Sequence, residues 1–127
     1  MSRVVLDASA LLALLNDEKG ADKVRELLPD ALISTVNLAE VVTRLSLLGM
    51  PAEQTREILT LLGLEIVPFD EEQAFLTGLL VAKTHSLGLS LGDRACLALA
   101  NVTSTTAVTA DRVWKELKLG VKIQLVR

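Results

Sequence analysis

The sequence predicts an α/β protein, a parallel sheet of about five strands with helices on both faces. Three observations carry that expectation. Short β-branched or apolar runs alternate with one or two helical segments, no hairpin turn signal joins consecutive runs, and half of the 127 residues are apolar although only Phe69, Phe75 and Trp114 are aromatic. The core must therefore be built from Leu, Val, Ile and Ala. A chain of this length buries roughly two thirds of its unfolded surface around one core, so a single domain over residues 1-127 is expected.

Arg3-Val4-Val5-Leu6-Asp7 reads as the first strand, buried on both faces and ending in an acid. Ala8 to Asn16 and Ala21 to Leu28 read as helices, the second stopped by Pro29, which lacks an amide donor and restricts the residue before it. Ala31 to Ser34 is the second strand. Asn37 to Leu48 is a helix closed by Gly49. Pro51, at a first helical position, opens another that carries Ile58, Leu59, Leu61 and Leu62 on one broad side and ends at Gly63. Leu64 to Val67 is the third strand. Glu71 to His85 follows as a helix with Ala74, Phe75, Leu79 and Ala82 in register, although Gly78 inside it costs about 1 kcal/mol in propensity. A glycine-spaced loop, Gly88 to Gly92, leads into the helix Asp93 to Ala100. Thr105 to Thr109 is the fourth strand, Arg112 to Lys118 a last helix stopped by Gly120, and Val121 to Val126 the fifth strand.

Composition excludes several classes of function. The longest apolar stretches, Ala10 to Leu15 and Ala95 to Ala100, are far shorter than the roughly 20 residues that cross a bilayer. Asp7 interrupts the apolar region after Arg3, so no secretory leader is expected and the protein reads as cytoplasmic. The one cysteine, Cys96, forms no internal disulfide and reads as a small core residue. The net charge of -3 argues against holding nucleic acid by bulk electrostatics, so a polyanion would be bound locally, at arginines and metal ions.

Ligands of such sheets bind beyond the carboxyl ends of the strands, where strand order reverses. Asp7 ends the first strand and Asp111 follows the fourth, which places both at that edge; Glu40 and Asp93, early in their helices, are expected to project over it. Like charges about 4 Å apart repel by roughly 4 kcal/mol at an effective dielectric near 20, so such a cluster calls for a cation. An all-oxygen set suits magnesium or manganese better than zinc. Each acid also has a structural reading. Asp93 and Asp111 stand where helices begin and suit N-caps, Asn37-Leu38-Ala39-Glu40 has the spacing of a capping box, and Glu40 could pair with Arg44. Asp7 continues a buried strand and is costly to bury without a partner, which favours function.

Four segments are recognisable together: Val5-Leu6-Asp7-Ala8-Ser9-Ala10-Leu11-Leu12, Asn37-Leu38-Ala39-Glu40-Val41, Leu89-Ser90-Leu91-Gly92-Asp93-Arg94-Ala95-Cys96, and Val108-Thr109-Ala110-Asp111-Arg112-Val113-Trp114. They resemble a PIN-domain ribonuclease of the VapC type, the toxin of a toxin–antitoxin pair, over nearly the whole chain. The resemblance implies a PIN-like three-layer fold and an endonuclease that hydrolyses RNA. It also implies magnesium or manganese held by Asp7, Glu40, Asp93 and Asp111, with Ser9 as a supporting polar contact. Arg94 and Arg112, each following an acid, either meet a scissile phosphate, balance the acids, or face solvent. Ser9 has the alternative of a local helix-start hydrogen bond. Trp114 reads as core and His85 has no expected role. The resemblance further implies a homodimer and a groove for the hydrophobic helix of an antitoxin. Leu38, Val41, Val42, Leu45, Leu47 and Leu48 on one helix and Ile58, Leu59, Leu61 and Leu62 on the next supply a great deal of apolar surface for two helices, although core packing also accounts for it. The alternative from another class is a non-catalytic interaction or phospho-receiver-like signalling module, for which adjacent acids after the first strand would be needed.

Overall fold

A computed structural model describes residues 2–127; Met1, part of the expected domain, lies outside the described residues. Five short strands form one sheet: β1 (Val4–Leu6), β2 (Ala31–Ser34), β3 (Glu65–Val67), β4 (Thr106–Thr109) and β5 (Ile123–Leu125). Their order is β3-β2-β1-β4-β5, and every neighbouring pair is parallel. The helices are α1 (Ala8–Leu15), α2 (Ala21–Leu27), α3 (Thr35–Leu47), α4 (Ala52–Leu61), α5 (Glu71–Leu79), α6 (Val81–Thr84) and α7 (Leu91–Thr103). The predicted α/β class, strand number and parallel pairing are all present.

Period-two alternation in the central strands divides the core. Val4, Leu6, Ala31, Ile33 and Val108 join α1, α2 and α3 through Leu11, Val24, Val41 and Leu45. Val5, Leu32 and Ala107 face the other way, onto Leu97, Leu99 and Ala100 of α7 and onto Trp114. Both faces of β1, β2 and β4 are therefore dry, which is why those strands read as continuous apolar runs. In register, Leu6 lies beside both Ile33 and Val108, so β2 and β4 run one residue past β1, to Ser34 and Thr109. Strand order reverses at β1, which sits between β2 and β4.

Several element boundaries differ from expectation, for local reasons. The helix expected from Asn37 starts at Thr35, because Ser34 at the end of β2 caps it, Oγ accepting from Val36 N at 3.1 Å. The single helix expected from Glu71 to His85 is broken at Leu80, two residues after Gly78, and continues as α6 and a 3-10 turn, His85–Leu87. The helix expected from Asp93 begins at Leu91, and Arg112–Glu116 is a 3-10 turn. Of the apolar residues on α3, Val41 and Leu45 are core, whereas Leu47 and Leu48 remain exposed.

Trp114 is fully buried, yet its indole Nε1 has no hydrogen-bond partner. Truncation of a buried aromatic costs about 3 to 5 kcal/mol. Trp114→Ala should lower unfolding stability by about that amount in urea denaturation, and Trp114→Phe should cost clearly less, because it also removes an unpaired donor.

Candidate active site at the carboxyl edge of the sheet

Asp7 leaves β1 where strand order reverses, and is only 3% exposed. The protein replaces its water. Ala10 N donates to Oδ1 at 2.8 Å, Ser9 Oγ donates to the carboxylate at 2.8 and 3.0 Å, and Thr109 Oγ1 donates to Oδ2 at 2.5 Å. Thr109 ends β4, and its hydroxyl also accepts from Asp111 N at 3.0 Å, while Ser9 Oγ accepts from Ala110 N at 2.9 Å. One network thus joins the carboxyl ends of β1 and β4. Burial pushes the Asp7 carboxyl up to about 6, from an ordinary 3.8; the bonds from Thr109, Ala10 and Ser9 oppose the rise, and the charge of Asp93 adds to it.

Glu40 lies on α3 and Asp93 in the first turn of α7. Burial raises the Glu40 pKa, a hydrogen bond from Asn37 opposes this, and Asp93 reinforces it. Asn37 is not the N-cap that its spacing suggested. It lies inside α3 and its side chain donates to Glu40 Oε1 at 2.9 Å. Asp93 completes a capping box rather than standing at the N-cap: Ser90 N donates to its Oδ2 at 2.9 Å, and its own N donates to Ser90 Oγ at 3.2 Å. The fully buried Cys96 thiol is raised by burial and then by the charges of Asp7, Asp93 and Glu40.

Asp111 shares the edge but is exposed, and its Oδ1 accepts from Val113 N at 3.0 Å, capping the 3-10 turn. Among the described residues, no three Asp, Glu, His or Cys side chains stand close enough together to hold a metal ion. Each carboxylate is engaged by its own helix start or by a neighbouring amide.

Neither arginine stands among the acids. Arg94 turns to α5, its NH1 donating to Thr77 O at 2.8 Å, so it neither faces solvent freely nor balances the cluster. Arg112 donates to Arg127 O at 3.1 Å on the surface. Arg44 makes no ion pair with Glu40. The three ion pairs among the described residues, Arg3–Glu65, Arg25–Asp22 and Arg127–Glu18, leave Asp7, Glu40, Asp93 and Asp111 without a cation. Three supporting residues escaped sequence reasoning. Thr109 was visible only as a strand end, Gly92 as part of a loop, and Asn37 as a cap.

The PIN domain family matches the chain over residues 4–119. The chain belongs to the PIN-domain family. Solved structures share its PIN fold along the full length. A toxin-antitoxin complex from Klebsiella pneumoniae is 18% identical with a TM-score of 0.74, covering 98% of each chain. DNA-bound VapBC from Salmonella typhimurium is 19% identical with a TM-score of 0.71, covering 100% of each. VapBC2 from Rickettsia felis, bound to a promoter DNA fragment, is 23% identical with a TM-score of 0.69, covering 96% of this chain and 97% of that one. No curated protein sequence matches this PIN domain.

The Asp7 carboxyl gives the PIN domain a defined pH signature. A carboxyl held at about 6 when folded and 3.8 when unfolded binds its proton more tightly in the native state, so its contribution to stability is full below pH 3.8 and is lost as pH rises through 6. The gap corresponds to roughly 3 kcal/mol. Metal-free Asp7→Asn should therefore match or exceed wild type in stability at about pH 7.5, and lose that advantage below about pH 4, in paired denaturation curves. A variant less stable than wild type across the whole range would contradict the charge-burial account.

Proposed function

We propose that this PIN domain is a divalent-metal-dependent endoribonuclease, the toxin of a toxin–antitoxin pair, with Asp7, Glu40, Asp93 and Asp111 as its metal-holding and catalytic acids. The observation that carries the reading is uncompensated charge: Asp93 acts on both Asp7 and Glu40, Asp111 follows β4 at the same sheet edge, and no Arg or Lys forms an ion pair with any of the four. The donors are carboxylate oxygens, chemistry that fits magnesium or manganese. When bound, such a cation supplies the charge that polarises a phosphodiester and acidifies water.

The chain's own groups have separable tasks. Ala10 N, Ser9 and Thr109 fix the Asp7 carboxylate, and the Asp7 carboxyl keeps its proton below about pH 6, so the site turns fully anionic only above that value. Arg112, exposed and next to Asp111, would leave Arg127 O to meet an incoming phosphate. The receiver-like alternative has no support in topology, because receiver sheets place β1 between β2 and β3, whereas here it lies between β2 and β4.

Kinship with toxin–antitoxin complexes supports a cognate antitoxin as partner. Its hydrophobic helix would take the groove lined by Leu38, Val42, Met50, Leu59, Leu64 and Ile66. Exposed Phe75, Leu79 and Leu91 supply apolar surface for a homodimer. No helix among the described residues is long and apolar enough to cross a membrane, and the proposed toxin would act in the cytoplasm.

Purified Asp93→Asn should remain folded and lose RNA cleavage by at least about 10 to 100-fold in magnesium or manganese. Millimolar manganese should raise the melting temperature of wild type but not of the variant. Cleavage at the wild-type rate by the folded variant would defeat the assignment. On α3, Leu45→Glu should unfold the protein, whereas Val42→Glu, at an exposed position lining the groove, should leave it folded and active while weakening antitoxin capture.

A further inference from the structure

Asn37 is a buried amide with an unusual set of bonds. It is 1% exposed, and its Nδ2 donates both to Glu40 Oε1 at 2.9 Å, one turn along α3, and to Gly92 O at 3.0 Å, in the first turn of α7. Its Oδ1 is buried with no partner. The orientation of the amide is fixed by chemistry, because the flipped amide would aim its oxygen at two acceptors. A group that leaves one buried acceptor unpaired is a poor choice for stability alone. What it does achieve is to bridge the two helices that carry Glu40 and Asp93.

Gly92 supplies the other half. A methyl group on its Cα would collide with Oε1, Oε2 and Cδ of Glu40, so the Glu40 carboxylate lies directly over the bare glycine. Gly92 has no positive φ, so an L-residue there meets no backbone strain. The glycine is needed for space, and the space is filled by the carboxylate. Asp93, the next residue, repels Glu40.

We infer that Asn37 and Gly92 form a latch that positions Glu40, Asn37 holding the carboxylate from α3 and Gly92 giving it a seat on α7, so that Glu40 stays beside Asp93 against their mutual repulsion. The inference rests on the metal-dependent reading for its consequence, a preassembled cation site, but not for its geometry. Asn37 and Gly92 are positioning residues.

Gly92→Ala separates the latch from stability. Alanine is the better helix former, and the atoms it displaces are the far end of a flexible side chain, so the melting temperature of the metal-free variant should not fall. Manganese affinity, measured by calorimetry, should nevertheless drop by about 10 to 100-fold. In a Glu40→Gln background, itself weakened, the same alanine should cause no further loss. Unchanged affinity in Gly92→Ala, or an equal loss in both backgrounds, overturns the latch. A metal-free readout decides the geometry independently: by NMR, the Asn37 Nδ2 protons should exchange slowly and should exchange faster in Gly92→Ala. Exchange in wild type as fast as that of the exposed Asn101 side chain overturns the latch. If wild type binds no manganese while Asn37 is protected, the metal reading fails and the latch stands.

Discussion

A carboxylate at the end of a strand buried on both faces must be solvated by protein, and much of this architecture follows from how Asp7 is solvated. An isolated buried charge is prohibitive, so donors must converge on it. One comes from the first turn of α1, which Asp7 itself caps. Another comes from Thr109, and Thr109 is within reach only because β4 pairs with β1. The reversal of strand order at β1 is thus also what lets the hydroxyl of one strand satisfy the acid of the next. The solvation is incomplete, as the raised pKa of Asp7 records, and the residual demand is for positive charge.

The remaining acids reach the edge by different supports. Glu40 is carried by α3, whose start is set by Ser34 at the very end of β2, so no loop intervenes between strand and helix. Asp93 is carried by α7, whose first turn is closed by Ser90. Hydroxyls and amides that look like ordinary helix caps therefore double as the frame of the site. Capping and the proposed function, which compete as explanations when each acid is taken singly, would use the same hydrogen bonds.

This explains what was legible in the sequence. The central strands were readable because two dry faces leave a continuous apolar run, and the acids that end them were readable because an acid is out of place there. Asp7 and Asp111 could be assigned to one edge from topology alone. Asn37 misled because its spacing to Glu40 imitates a capping box, and only the register of α3 against β2 shows that Ser34 has already capped the helix. Gly92 was unreadable because a glycine that ends a loop and one that clears space inside a first helical turn look alike in one dimension. Arg94 was ambiguous because its partner, the Thr77 carbonyl, is a backbone atom of a distant helix and leaves no mark in sequence.

Beside Leu97 and Leu99, the side of α7 packed toward the sheet carries two residues with little beyond Cβ: Cys96 and Ala100 are fully buried in the same cluster as Val5, Leu32 and Ala107. They act as shims of minimum thickness, setting how near the helix rides to the sheet and hence the height of Asp93 above Asp7. A bulkier side chain at either place would jack the helix outward and carry its acid with it, altering the electrostatic calibration of the edge without touching a polar atom. The tolerances of a charged site are in this way machined into small apolar side chains.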